Sequence, residues 1–266
     1  MREFMFGRQA VLFYTIVALL TMTVAAHADT ITIANTGTPQ SPGSNRDANY
    51  IYTVTSDPTI NPGVLPAPDG TNVQAAYIMD TNAWPIFHGP YIKNTGTGAW
   101  VGPQPQYAGG GLTATPNVYF IYQTSFTIAA NIDPATVLIS GMLASDNCPT
   151  FLGINGVGLG GNLMPNCATS GDSFSNGHAF KIGGTNASFG STTNTYIAFA
   201  AFHTGINTIQ IKVYNDSTAP PNPTGLVIWN MQGQGLEAPE PSTAGLLIAG
   251  IAAVAWLRRR SLRPSA

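Results

Sequence analysis

The chain has 266 residues, a formal net charge of −2 at pH 7 and two cysteines. Residues 29–240 hold four basic and eleven acidic residues, a net charge of −7. A segment this poor in Lys and Arg lacks the electrostatic footprint that binds a phosphate backbone, which argues against nucleic-acid binding. The 44% apolar content argues against intrinsic disorder.

The first 28 residues have the three parts of a secretory signal peptide. Two arginines give a positive start, residues 10–20 are mostly apolar, and Ala26 and Ala28 form an A-x-A cleavage site. We therefore expect signal peptidase to cut after Ala28. The alternative is an uncleaved membrane anchor, for which the apolar run is short.

Nine runs rich in β-branched and aromatic residues predict strands in the segment that follows. Their bounds are 30–34, 50–55, 118–128, 136–140, 150–154, 179–182, 196–202, 208–214 and 225–229. The run 208–214 alternates most clearly, with three aliphatic side chains on one side and Gln210 and Lys212 on the other. The sequence therefore predicts an all-β domain over residues 29–232, an antiparallel β-sandwich of the jelly-roll type.

Residues 58–117 are less regular and contain nine prolines. Proline has no amide donor, so we expect long loops between edge strands here. Residues 75–79 are compatible with a short helix. A linker between two domains is the alternative, but five tyrosine, tryptophan and phenylalanine residues between 84 and 107 favour a single folded domain.

The two cysteines, Cys148 and Cys167, both lie in the exported segment. An even count in an oxidising compartment predicts one disulfide between them. It would close a glycine-rich loop and stabilise the fold by ~3 kcal/mol. A metal site is the competing interpretation, but two cysteines without a nearby His are too few ligands for zinc.

Several motifs follow one another between residues 122 and 229. They are the aromatic strand 122–126, Ser145-Asp146-Asn147, Ile154-Asn155-Gly156, the stretch 202–209 and the start of the last strand at Gly225. In this order they resemble galactose-binding-like jelly rolls, the sandwiches of carbohydrate-binding modules and glycosidase sugar-binding domains. The Asn155-Gly156 pair independently predicts a tight hairpin turn.

The C-terminal tail has three features in a set order. The triplet Pro239, Glu240 and Pro241 is followed by Ser-Thr, an apolar run and a basic cluster that begins with Arg258, Arg259 and Arg260. This tail resembles the PEP-CTERM sorting signal of Gram-negative bacteria. The resemblance implies that exosortase, a membrane-embedded peptidase, removes the apolar helix and releases the protein to the cell surface or exopolysaccharide matrix.

The tail thus divides into a linker over 233–241, a transmembrane helix over 242–257 and a basic cytoplasmic end over 258–266. Arginines after the apolar run favour a cytoplasmic end, which leaves the bulk of the chain outside the inner membrane. A permanent tail anchor is the alternative, although the apolar run is short for stable anchoring.

No catalytic motif is found. Gly171-Asp172-Ser173-Phe174 is similar to a block of a serine esterase family, but the downstream Asp-x-x-His is absent and a polar turn explains it. The sequence has no G-x-S-x-G, no H-E-x-x-H and no Asp-x-Asp-x-Asp calcium loop. We therefore predict no enzyme, no metal site and no cofactor, although backbone carbonyls could still hold a structural calcium ion.

Sugar binding needs aromatic platforms and polar groups that hydrogen-bond. Trp100, flanked by small residues and proline, is the best candidate for an exposed platform, and Asp146 and Asn147 mark the expected ligand edge. The sequence thus predicts an exported matrix protein that associates with exopolysaccharide. The alternatives are a structural matrix protein without a defined ligand, and a carbohydrate-active hydrolase whose carboxylates converge only in three dimensions.

Overall fold

Runs of Val, Ile, Thr and aromatic residues form the strands of the computed structural model. The structure describes residues 27–37, 46–57, 59, 63–69, 71–79, 91–93, 97–104, 117–147, 149–159, 172–190, 195–215, 223–238 and 250–254. Of the described residues, 57% lie in strands and 7% in helices, which confirms the all-β class. Residues Asp29–Leu236 form one compact unit, and the remaining residues form a second.

The described part of the first unit contains short helical turns and strands of different lengths, and the first of these strands begins one residue before the unit does. The turns are a 3-10 turn at Pro134–Thr136 and α1 at Asp172–Ser175. The strands are β1 (Ala28–Ile31), β2 (Arg46–Thr55), β3 (Gln74–Ile78), β4 (Val101–Gly102), β5 (Val118–Ile128), β6 (Leu138–Asp146), β7 (Pro149–Ile154), β8 (Val157–Gly158), β9 (His178–Gly183), β10 (Thr195–Phe199), β11 (Gly205–Asn215) and β12 (Gly225–Leu236).

The strands join into one curled sheet with the order β10-β9-β6-β12-β4-β3-β2-β5-β11-β7-β8, and β1 also pairs with β12. β9 and β10 pair in parallel, so the expected fully antiparallel arrangement is wrong at this edge. Parallel strands cannot be joined by a tight hairpin turn, so β10 does not follow β9 as a hairpin partner.

The proline-rich stretch 58–117 contributes more than loops between edge strands. β3 and β4 both fall within it, and they lie in the middle of the sheet order, where they connect β12 to β2. β3 covers most of the segment 75–79, so the short helix with which that sequence is compatible does not form there. Strand pairing on both sides of β3 outweighs the weak helical preference of its alanines.

The expected alternation in β11 is present, but both of its faces are covered. Gln210 is 0% exposed and its Nε2 donates to Gln123 Oε1 at 3.0 Å. Lys212 is 5% exposed, and its Nζ lies 5.0 Å from the Tyr119 ring centroid and 5.9 Å from that of Phe151. Burial lowers the pKa of Lys212 below its ordinary value of 10.5.

The turn between β7 and β8 confirms the hairpin that the sequence predicts. Asn155 and Gly156 have φ angles of 53° and 78°. Both lie in the left-handed region, which a two-residue type I′ turn requires and which Asn and Gly tolerate best.

Within the second unit, residues 250–254 are helical. Among the described residues, no helix is both long enough and apolar enough to cross a membrane. Several residues to which the sequence assigns a role lie outside the described residues. They are the signal cleavage residue Ala26, the cysteines Cys148 and Cys167, the triplet Pro239, Glu240 and Pro241, and the basic cluster Arg258, Arg259 and Arg260. Ala28 is described and begins β1.

Candidate functional site

Trp100 does not present the exposed platform that the sequence predicts. Its side chain is 0% exposed, and its indole Nε1 donates to the Ile92 carbonyl at 3.0 Å. It directly precedes β4, which lies in the middle of the sheet order. A large aromatic side chain stabilises the fold most when its surface is buried, and the expectation of exposure is therefore wrong.

Asp146, at the end of β6, is also buried. It is 6% exposed, and its carboxylate accepts a hydrogen bond from the Tyr91 hydroxyl. Its backbone carbonyl accepts from Thr224 Oγ1 at 2.5 Å. The neighbouring Asn147 is half-buried, and its carbonyl accepts from Ser145 Oγ at 2.6 Å.

Tyr91 brings two of the three candidate residues together. Its ring centroid lies 4.4 Å from that of Trp100, and its hydroxyl reaches Asp146. On another side it stacks on Phe174 with the centroids 5.5 Å apart. The sequence thus singled out residues that do cluster, but they cluster in the core. Their role in ligand binding stays a prediction.

The described aspartates mostly support local backbone. Asp47, Asp57, Asp69 and Asp133 each accept hydrogen bonds from backbone N–H groups a few residues along the chain. The bond from the Val73 N–H is the main cause that lowers the pKa of Asp69 to about 2. Burial raises the pKa of Asp47 above 3.8 in spite of three backbone donors. Within the described ranges, no three His, Cys, Asp or Glu residues are grouped to hold a metal ion.

A groove of about 500 Å³ opens where β1 and the residues after it meet β12 and β6. Five of its lining side chains carry a hydroxyl or amide group: Thr30, Thr32, Ser140, Gln232 and Gln234. The others are apolar or glycine: Ile31, Ile33, Leu138, Met231 and Gly233. The groove therefore offers neutral donors and acceptors beside apolar surface, and its lining contains no charged side chain.

The second half of β12 builds the polar side of this groove through simple alternation. Gln232 and Gln234 are exposed, whereas Met231 and Gly233 are buried. A Cβ on Gly233 would stand 2.8 Å from the Ile31 carbonyl oxygen. Glycine is therefore needed here because β1 lies so close to β12.

These glutamines were missed at the sequence level. Residues 233–236 were assigned to the linker after a last strand ending at 229, but β12 continues to Leu236. The sequence signal was present as Gln-Gly-Gln-Gly over 232–235, which has the two-residue period of a strand. Glycine lowers strand propensity, and the compensating contact with β1 is not visible in sequence.

The hydroxyl and amide side chains of the groove have no hydrogen-bond partner in the part of the chain that the structure describes. None of the side chains of Thr30, Thr32, Ser140, Gln232 and Gln234 is hydrogen-bonded to another described residue. This distinguishes the groove from the Tyr91 cluster, where the polar groups already have partners.

Comparison of the chain with models of known protein families, with curated proteins and with solved structures finds no match.

Proposed function

We propose that this chain is an exported cell-surface or matrix protein that associates with exopolysaccharide through a jelly-roll domain. Signal peptidase would cut after Ala28, and residues 242–257 would hold the chain transiently in the inner membrane of a Gram-negative bacterium. An exosortase-type peptidase would then release it near Pro239, Glu240 and Pro241. The export and sorting steps rest on the pattern of the two chain ends.

The observation that carries the binding part is the uncharged groove beside β12. A sugar ring presents hydroxyl groups together with an apolar C–H face, and the groove presents amides and hydroxyls beside aliphatic side chains. Because these groups have no partner among the described residues, a ligand can bind them without breaking bonds inside the protein.

The jelly-roll assignment is the finer part of the proposal. It is supported by the all-β composition and by the long antiparallel pairing of β5 with β11, which runs from Val118 to Ile128. These two strands carry the aromatic run 122–126 and most of the second half of the stretch 202–209, two of the motifs that resemble galactose-binding-like jelly rolls.

A pull-down with the exopolysaccharide of the producing bacterium tests the binding part. We expect the native protein to be retained and the double variant Gln232→Ala/Gln234→Ala to bind about tenfold more weakly, since each lost hydrogen bond contributes about 0.5–1.5 kcal/mol. The matched control is Asn49→Ala, which removes an exposed strand amide on β2, away from the groove lining. Equal binding by the double variant would reject the groove, and no retention of native protein would favour a structural matrix protein.

Mass spectrometry of the released protein tests the sorting part. We expect an N-terminus at Asp29 and a C-terminus near Pro241. Released protein that still ends at Ala266 would contradict exosortase-type processing.

A further inference from the structure

The outer face of the sheet continues from the groove to the β10 edge in a single row of paired residues. Gln234 of β12 lies opposite Leu138 of β6, Leu138 lies opposite Gly183 of β9, and Gly183 lies opposite Phe199 of β10. Residues directly opposite one another share a face of the sheet. With strands ~4.8 Å apart, the row is roughly 14 Å long.

Burial along each strand agrees with this assignment of faces. On β10, Ala198 is buried and Phe199 is 57% exposed. On β9, Ile182 is buried, whereas Lys181 beside the row is half-buried. Ile139 of β6 is also buried and points to the core. The two ends of the row, Gln234 and Phe199, are exposed, whereas Leu138 is half-buried and Gly183 is buried beneath Ala187 and Phe189. A ligand that spans the row therefore passes over Phe189.

Phe199 is an exposed aromatic ring with a fixed support. Its centroid lies 5.1 Å from that of Phe189, with the two rings at 81°. Phe189 reaches this position because β9 has glycine at position 183, where a Cβ would stand 2.8 Å from Phe189 Cζ. The Lys181 ammonium donates to the Phe189 carbonyl at 2.5 Å and holds this loop. The ring is thus held in place before any ligand arrives.

The row and the groove are uncharged, and the segment around them is acidic. Neither the four residues of the row nor the groove lining contains a charged side chain, and residues 29–240 carry a net charge of −7. Lys181 lies beside the row on the same face, but its ammonium donates to the Phe189 carbonyl. An anionic polymer would therefore meet an unfavourable long-range potential with little local positive charge to offset it. An uncharged chain would meet no such repulsion.

We propose that this face binds an uncharged polysaccharide laid across the strands, with one sugar ring stacked on Phe199 and a neighbouring part hydrogen-bonded to Gln234 and the groove. This inference rests on the proposed function and adds the class of glycan and the residue that stacks on it. An aromatic side chain with its face open to solvent is the feature that stacking on a sugar ring requires.

Affinity gel electrophoresis of the purified full chain tests this proposal. The gels contain hydroxyethyl cellulose, galactomannan or dextran as uncharged polymers, or alginate as an anionic one. We expect retardation in at least one uncharged gel, none in alginate, and a loss of about fivefold in affinity for Phe199→Ala. Phe199→Tyr keeps the ring and is expected to bind as the native protein does, and Val157→Ala removes another exposed apolar side chain, on β8.

Three outcomes would overturn the proposal. Equal retardation of Phe199→Ala and native protein would remove the platform, provided that both have the same thermal midpoint. Retardation of native protein in alginate alone would contradict the uncharged class. In both cases retention on the native exopolysaccharide would leave the proposed function standing. If the native protein binds none of the probe polymers and also fails to bind its own exopolysaccharide, both this proposal and the proposed function are rejected.

Discussion

The side-chain amide of Gln123 hydrogen-bonds to both backbone groups of Leu65, as a neighbouring strand would. Leu65 N–H donates to Gln123 Oε1 at 2.8 Å, and Gln123 Nε2 donates to the Leu65 carbonyl at 3.2 Å. Gln210 donates to the same Oε1 at 3.0 Å. One buried amide therefore holds the segment 63–66 against β5 and β11.

Gln123→Ala should detach this segment and destabilise the protein by about 2–4 kcal/mol, because three hydrogen bonds are lost and the buried Gln210 keeps an unmet donor. Urea unfolding measures the free energy, and limited proteolysis reports new cleavage near residue 65. Gln74→Ala is the control, since its side chain accepts a single, partly buried hydrogen bond from the Tyr52 hydroxyl. A loss no larger than that of the control would contradict the role of Gln123.

Tyr91→Phe keeps the ring contact with Trp100 but removes the hydroxyl that donates to Asp146. Because Asp146 is 6% exposed, water cannot readily replace this donor. We expect a loss of about 1.5–3 kcal/mol in the free energy of unfolding at neutral pH. Tyr214→Phe removes an exposed hydroxyl bond to Asn117 and should change stability by less than about 0.5 kcal/mol. If the two variants lose the same free energy of unfolding, the Tyr91–Asp146 hydrogen bond does not stabilise the fold.

Gly233→Ala should damage both stability and the groove. Its new Cβ would stand 2.8 Å from the Ile31 carbonyl oxygen and 2.9 Å from Ile31 Cβ, so β1 must move away from β12. We expect a loss of about 1–3 kcal/mol, measured by urea unfolding. Gly63→Ala is the matched control because nothing lies within 4 Å of its Cβ position. If the two variants unfold alike, the close approach of β1 is not needed.

The lowered pKa of Asp69 predicts how the stability of the protein changes in acid. Backbone hydrogen bonds from Val73, Thr71 and Asn72 hold its pKa at about 2 in the folded state, below the ordinary value of 3.8. Its carboxylate therefore stabilises the fold above pH 3.8, and this contribution is lost as the pH falls from 3.8 towards 2.

The melting temperature of the native protein and of Asp69→Ala should accordingly differ most above pH 4 and converge as the pH approaches 2. Asp69→Asn keeps an acceptor oxygen but cannot titrate, so its difference from Asp69→Ala should not shrink in this range. NMR titration of the Asp69 carboxyl carbon measures the pKa directly. A midpoint near 3.8 would contradict the hydrogen-bond argument.

Local chemistry explains which features the sequence predicts well. The alternation of Ile209, Ile211 and Val213 predicts β11, since a two-residue period needs no knowledge of neighbours. Asn155-Gly156 predicts its turn because few other residues tolerate positive φ angles at both positions. Processing of the two chain ends is also predicted from short sequence patterns. It stays a prediction, because the structure does not describe most of those residues.

The candidate site depends on contacts between segments far apart in sequence. Whether Trp100 is exposed was decided by β4, whose neighbours in the sheet lie more than 20 residues before it and more than 120 residues after it. Gln232 and Gln234 line a groove only because β1, about 200 residues earlier, packs against Gly233. The sequence by itself determined the all-β class, several strands and the hairpin turn, since these follow from local periodicity and backbone preference. The tertiary structure alone decided which polar side chains face solvent without partners, because burial depends on which distant strands become neighbours.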